Sequence, residues 1–434
     1  MRFSFKCGTL LAVLFLALSP ARPAAAQSDD VMIPVSAVTN GTLSATNAPD
    51  DAFDQVRVFT EAMLLVRKYY VTDKSYEDLI RGAMRGMLES LDAHSEFMDA
   101  EAHDALQEDT AGKFSGVGIN LGIKNNVLTV IAPIEDTPAF RAGIQAGDII
   151  TAINSNKTER MEMKDAVKQL RGDTGTRVSL TIRRQGSVAE QTFDLERAVI
   201  EVPSIKGVRM LRGEIGYVRI VQFSDPTADL LQKSLAPLVT NHLAGLVLDL
   251  RNNPGGLLTS AIEVAQQFLP VGSLIVSTQG RKGLESRTEG VAGGTNHYTN
   301  FPMVVLVNRG SASASEIVAG ALHDHKRAVL IGETTFGKGS VQAVLPLSSD
   351  PGCALRLTIA HYYTPAGKLI QDIGLDPDIP IDVSTEEWIR VQRHRAQLEN
   401  PELFTEEARK ADEAVVDRQL ERALDVLQAL KVLH

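Results

Sequence analysis

Cysteine is nearly missing: the 434 residues contain only Cys7 and Cys353. Cys7 opens an apolar run to Leu18 that Arg2 and Lys6 precede and that Pro20, Pro23 and Ala24 to Ala26 follow. That is the layout of an export signal cleaved before Gln27. Its removal leaves a single cysteine, which excludes an internal disulfide in the exported product. Cys353, between "DPG" and a strand-like run, reads as core filler. His and Cys nowhere cluster at ligand spacing, so neither a metal nor another cofactor is expected. Basic charge is scarce too. Lys and Arg number 44 against 54 Asp and Glu, and without residues 1–26 the count is 41 against 54, a formal charge of −13. So acidic a chain makes a poor nucleic-acid partner. Past residue 26 no stretch is long and apolar enough to cross a membrane. Low-complexity sequence and excess Pro or Gly are absent as well; 44% apolar and 23% charged residues are ordinary globular values. The length calls for two to four structural units.

What is present divides along the chain. Residues 27–51 are polar and without period, which predicts a flexible tether. Over 52–102, Phe53, Val56, Phe59, Met63, Val66 and Tyr70, then Leu79, Ala83, Met84, Met87 and Leu91, recur at helical steps. Two amphipathic helices joined near "TDKS" follow, with an apolar face for the rest of the chain or for a second subunit. Residues 103–198 change to short strands with Gly-rich turns, "GVGINLGI", "VLTVIAPI", "GDIITAIN" and "VSLTIRRQG", plus one helix in "MEMKDAVKQLRG". From 199 to 383 strands and helices alternate, the pattern of an α/β core whose site gathers where strands end and helices begin. Residues 384–434 end in a helical tail with apolar Val416, Leu420, Ala423, Leu424, Leu427, Leu430 and Val432, fit for docking or oligomerisation.

Three stretches of the α/β core could carry chemistry. "GSASASEIVAG" places Ser313 at a helix start among small residues. "SASE" there is first of all a capping box, in which the serine hydroxyl meets an amide one turn in and Glu316 reaches back. The same helix start also offers amides of positive polarity to a developing oxyanion. "DLRNNPGG" ends a buried strand in a Gly-Gly turn, where amides can face a common point. "FGKGSVQ" sets Lys338 between two glycines at the head of a strand, and a period of two sends Lys338 and Gln342 to one face. A lone lysine is usually solvated; one desolvated beside Ser313 would shed its proton more readily and could take the serine's.

The order of pieces in 103–198, with "TPAFRAGIQAGDIITAIN" in the middle and Ala139, Ala142, Gly143, Gly147 and Asp148 at the small helix and turn, resembles a PDZ domain. Such a domain takes a C-terminal peptide as an added strand and holds its carboxylate on loop amides. Here that loop would be Gly116, Val117, Gly118 and Ile119, after Ser115. With "LDAHSEFM" at 91–98, "GETTFGKGSVQ", and "YYTPAGKLIQDIGLDPDI" at 362–379, the chain from about Leu91 to Ile381 resembles the C-terminal processing peptidases, tail-specific serine proteases of family S41. Ala93 stands where that family commonly has proline.

The resemblance implies a multi-domain α/β protein: a crotonase/ClpP-like protease core with a PDZ domain, an N-terminal helical segment and a C-terminal helix. It implies Ser313 as nucleophile, Lys338 as general base, Gln342 as the residue orienting the lysine, and the amides of Gly256 and Ala314 as oxyanion donors. Expected partners are proteins with apolar, unstructured C-termini, with a homo-oligomer and an adaptor protein left open. The expected location is the periplasm, with peripheral membrane association open. Two rivals remain. His323 or His325 could be the base, although both lie helical turns beyond Ser313. The chain could also be a non-catalytic PDZ adaptor on an inactive protease-like core.

Overall fold

The computed structural model describes residues 32–33 and 50–433, apart from 125–126, 135–136, 146, 160, 185–188, 282–286, 295–297, 400–405 and 407–414. The expected export signal and most of the expected tether lie outside the described residues. Within the tether, Met32–Ile33 forms a two-residue strand parallel to Ser340–Pro346, with Met32 opposite Gln342. The rest falls into two compact units, Phe114–Glu201 and the residues on either side of it.

The smaller unit is built on a six-stranded antiparallel sheet in the order Ile119–Lys124, Val127–Pro133, Ile149–Ile153, Arg177–Arg183, Glu190–Glu196, with the short Asn156–Lys157 paired off this path to Ile149–Ile153. Its β-branched strands alternate, so Val178, Leu180 and Ile182 face one core with Val130, Ile150 and Ile153. Ala166 and Leu170 of the helix Met163–Leu170 complete that core. Arg197 secures the end of this helix by donating to the carbonyls of Leu170 (3.1 Å) and Gln169 (2.8 Å). Ile119–Lys124 is an edge strand of the sheet.

The larger unit is built on a six-stranded sheet, Ile205–Leu211, Ile215–Ile220, Gly245–Asp249, Met303–Val307, Ala328–Gly332, Ile379–Pro380, parallel except for its first pair. The inner strands Gly245–Asp249 and Met303–Val307 are apolar on both faces, Asp249 at the strand end excepted, because both faces are covered. Leu246, Leu248 and Val305 face the helices Thr227–Thr240, Leu258–Gln266 and Ala314–Asp324. Val247, Val304 and Leu306 face Ala423, Leu424 and Leu427 of the helix Arg418–Leu433. The apolar stripe of the tail thus docks on the chain's own sheet. A second sheet joins Ser340–Pro346, Ala354–Tyr363, Leu274–Gly280 and Arg287–Val291, with Glu96–Met98 paired to Ala354–Arg356. Cys353 is a buried free thiol at the turn before Ala354, and burial raises its pKa.

At the N-terminal end Asp50–Tyr69 and Tyr76–Glu89 are helices. A third helix, Ala100–Ala111, forms where the sequence reading has helix give way to strands. Asp99 caps it, accepting from the Ala102 amide, and Gly112 ends it at φ 64°. Much of the apolar face of the first two helices stays exposed, including Phe53, Val56, Phe59 and Met87, as does Leu91 just beyond the second. Among the described residues no helix is long and apolar enough to cross a membrane.

Candidate active site

The parallel strand Met303–Val307 runs into the loop Asn308–Ala312 and then into the helix that begins at Ala314. The residues Ala314–Leu322 of this helix are all buried. A helix without a solvent face cannot send its capping glutamate into water, and Glu316 is accordingly fully buried. Ser313 precedes the helix at φ 55°, ψ −115°, a conformation that a non-glycine residue adopts only when its surroundings enforce it.

The surroundings are visible. Glu316 accepts from the amides of Ser313 (2.8 Å), Lys338 (2.9 Å) and Gly337 (2.8 Å) and from the Thr335 hydroxyl. One carboxylate thus binds the nucleophile candidate's backbone to that of the base candidate. Burial pushes the Glu316 carboxyl up in pKa, and these four donors oppose the shift. The Tyr362 hydroxyl, on the strand Ala354–Tyr363, donates toward the carbonyls of Ser313 (3.2 Å) and Lys338. Glu316 and Tyr362 therefore hold residues 313 and 338 from both their amide and their carbonyl sides.

The expected capping box forms in part. Glu316 reaches back to the Ser313 amide, but Ser313 Oγ makes no cap hydrogen bond and is buried without a partner. An unbonded buried hydroxyl is costly as a structural feature, at about 1–3 kcal/mol. Lys338 is 1% exposed.

Gln342 is fully buried, with its amide nitrogen donating to Ser340 Oγ (3.0 Å) and Thr358 Oγ1 (2.9 Å) and its oxygen unpartnered. Thr358 in turn donates to Asp92 (3.3 Å), whose carboxylate also accepts from the His94 and Ser95 amides. These hydrogen bonds outweigh partial burial and keep the Asp92 carboxyl below its ordinary range. The "LDAHSEFM" segment thereby props Gln342. The period-of-two argument for Lys338 and Gln342 holds only loosely, because Lys338 precedes the strand and the pairing with Ala354–Tyr363 slips between Val341 and Gln342.

The Gly-Gly turn lies against the serine. A Cβ on Gly255 (φ 119°) would stand 2.8 Å from Ser313 Cβ, and one on Gly256 (φ 135°) would stand 2.0 Å from the Phe223 carbonyl oxygen. Only glycine fits either place. Asn253 fixes the turn: its side chain donates to the Ile220 carbonyl (3.0 Å) and accepts from the Gly255 amide (2.9 Å). Its carbonyl accepts from the Ala312 amide (3.0 Å) and the Ser315 hydroxyl (2.9 Å). His323 and His325 point elsewhere, to Asp378 (3.1 Å) and the Leu274 carbonyl (2.7 Å).

In the smaller unit Gly118 has φ 77°, and a Cβ there would lie 2.3 Å from Thr137 Cβ. The Val117 carbonyl accepts from the Ala139 amide (3.0 Å) and that of Gly118 from the Ile134 amide (2.9 Å), which pins the Gly116 to Ile119 loop at the head of the edge strand.

Glu316, Tyr362, Thr335, Asn253 and Asp92 do not stand out in the sequence as site residues. Glu316 alone carried a signal, since a glutamate in a helix as apolar as "ASEIVAGAL" has little water to face.

Comparison with known proteins agrees with this architecture. The profile of Peptidase family S41 matches residues 214–381, and that of the PDZ domain matches residues 129–184. The carboxy-terminal-processing protease of Bartonella bacilliformis is 43% identical over 357 residues, 81% of each chain. The carboxyl-terminal-processing protease of Synechocystis is 38% identical over 73% of this chain and 74% of its own. Carboxy-terminal processing protease CtpB of Bacillus subtilis is 32% identical over 80% of this chain and 72% of its own. The chain belongs to the carboxy-terminal processing proteases, serine-type peptidases of family S41 with a PDZ domain.

Proposed function

We propose that this chain is an exported endopeptidase that takes the loose apolar tail of a protein on its PDZ unit and cuts near that tail with a Ser313–Lys338 dyad. The observation that carries the reading is the partnerless, buried Ser313 hydroxyl on a strained backbone that Glu316 and Tyr362 tie to residue 338. Lys338 is buried in the same region, and as general base it would act in its neutral form.

Neutral Lys338 takes the Ser313 proton as Oγ attacks the scissile carbonyl. The amides of Gly256 and Ala314, which donate to no other group among the described residues, receive the oxyanion. Lys338 then gives the proton to the leaving amine, and water hydrolyses the acyl-enzyme by the same route in reverse. Gln342 keeps the amine in place without adding charge. The tail adds to the edge strand Ile119–Lys124, with its carboxylate on the amides of Gly116, Val117, Gly118 and Ile119.

Wild type, Ser313→Ala and Lys338→Ala are incubated with a protein bearing an unstructured apolar tail, and both new termini are read by mass spectrometry. Cleavage by wild type alone is the expected outcome; equal processing by either variant removes the dyad. A lysine base also predicts activity that climbs into the alkaline range, whereas a limb near about 6.5 would implicate histidine.

A further inference from the structure

The strand Gly245–Asp249 ends on a buried carboxylate, and two residues later comes the largest fully buried side chain described, Arg251. Its guanidinium has five N–H donors in a rigid plane, and all five are used. Nε and Nη2 donate to Asp249 at 3.0 and 2.7 Å. Nη1 and Nη2 donate to Asp417 at 2.9 and 2.8 Å, and Nη1 also donates to Gln419 at 3.0 Å. Asp417 stands just before the helix Arg418–Leu433, where it also accepts from the Leu420 amide. A planar cation gripped by two carboxylate forks has one position and one orientation.

The next residues form the proposed oxyanion turn. Asn252 has φ 56° and exchanges hydrogen bonds with Asn308, its amide donating to Asn308 Oδ1 (2.8 Å) and its own Oδ1 accepting from Asn308 Nδ2 (2.7 Å). The first residue of the turn is therefore tied to the loop that carries Ser313. A cavity of about 350 Å³ whose lining includes Asn252, Asn308, Trp388 and Gln419 also reaches this residue. Beside an unfilled space polar links rather than packing must fix the backbone, and Arg251, the preceding residue, is such a link.

We propose that Arg251 is a positioning residue for the Asn252–Gly256 turn and that, through Asp417, the C-terminal helix braces the catalytic site. Buried ion pairs of this kind add little net stability over an apolar replacement, so geometric specification is the better account of their presence. The proposal rests on Gly256 serving as an oxyanion donor.

Arg251→Lys keeps the charge and loses the two forks; Asp417→Asn keeps the shape and loses the ion pair while Asp249 remains to hold Arg251. For both, kcat and KM on a peptide substrate are measured with the affinity for a peptide aldehyde, whose serine adduct places an oxygen in the oxyanion position. Thermal unfolding reports the folded fraction. The expected result is a loss of about tenfold or more in kcat with KM nearly unchanged, matched by a similar loss of aldehyde affinity, in protein that remains folded. Wild-type kcat in both folded variants, a change in KM alone, or an activity loss that tracks the unfolded fraction overturns the brace. Ser313→Ala run alongside separates the two levels. No turnover in it leaves only the brace at stake, and wild-type turnover overturns the nucleophile itself and the brace with it.

Discussion

The two units of this protein treat buried polarity in opposite ways. In Phe114–Glu201 the core is apolar, and its buried polar side chains are structural ties already satisfied: Asp148 to Arg184, Thr158 to the Ile150 carbonyl, Arg197 to the end of a helix. Among the described residues its strand Ile119–Lys124 stands at the edge of the sheet, with a strand neighbour on one side only. In the larger unit the centre itself is polar. Glu316, Asp249, Arg251, Lys338, Gln342 and Ser313 are all buried, yet among their side-chain polar atoms only Ser313 Oγ and the Gln342 oxygen are left unpartnered. A binding unit can leave main-chain hydrogen bonds unmade at its rim, where water fills them until a peptide arrives. A catalytic centre must make nearly every hydrogen bond, so that the few unmade ones face substrate in fixed positions.

Substitutions can break this contrast at either end. The largest effect is expected for Glu316→Gln. The amide that replaces a carboxylate oxygen would face N–H donors, leaving at least one of the Ser313, Gly337 and Lys338 amides unsatisfied, at about 1–3 kcal/mol of stability for each. The accompanying shift of Ser313 against Lys338 would lower kcat about 100-fold on every substrate. Denaturant unfolding and steady-state kinetics check both. An active, normally stable variant would mean that the polar centre is less constrained than it looks.

Gly118→Ala is expected to act more selectively. A Cβ 2.3 Å from Thr137 cannot be accommodated without moving the loop. The KM for a tail-bearing protein should rise about tenfold, while a short peptide without the apolar tail is cut within about twofold of the wild-type rate. Equal losses on both substrates would show that the smaller unit does more than hold tails.

The smallest effect concerns acid stability. Burial would raise the Asp249 carboxyl, but Arg251, Arg395 and the Tyr217 hydroxyl hold it well below its ordinary range. A depressed folded pKa contributes stability that is present above the unfolded value of about 3.9 and lost as pH falls below it. Arg395→Gln removes one of these charges, 3.3 Å from Asp249, so part of that contribution disappears. Urea midpoints measured from pH 7 to 3 should show a modest loss at neutral pH and a shallower fall below about pH 4 than in wild type, because the unfolded value that sets the onset is unchanged and only the folded one rises. Burial raises the Glu316 carboxyl instead, so its linkage has the opposite sign and blunts the acid loss in both proteins. Superimposable profiles would show that Arg395 is a bystander.

Much of the catalytic unit was readable in its residues. Apolar runs such as "GLVL" and "MVVLV" become the doubly covered parallel strands, because a strand buried on both faces has few positions at which to show a polar side chain. The motifs around Ser313, Lys338 and Gly256 stood out because small residues crowd them. The third N-terminal helix did not stand out, since "AEAHDALQEDTA" has no strong apolar stripe and its ends are set by Asp99 and Gly112. The docking of the C-terminal tail was also undetermined, because an apolar stripe fits any apolar face.

By itself, then, the sequence determined the alternation of elements, the glycine-only turn and the residue types able to do acyl-transfer chemistry. Local propensity and hydrophobic period act over a few residues and are written in them. Only the tertiary structure decided that Glu316 faces inward to bind residues 313 and 338 together, that Asp92 supports Gln342, and that Asp417 reaches Arg251. Apart from the local bond of Glu316 to residue 313, those links run through hydrogen bonds between residues from 22 to 266 positions apart, and what fixes them is the need of each buried charge to find its partners once the chain has closed around it.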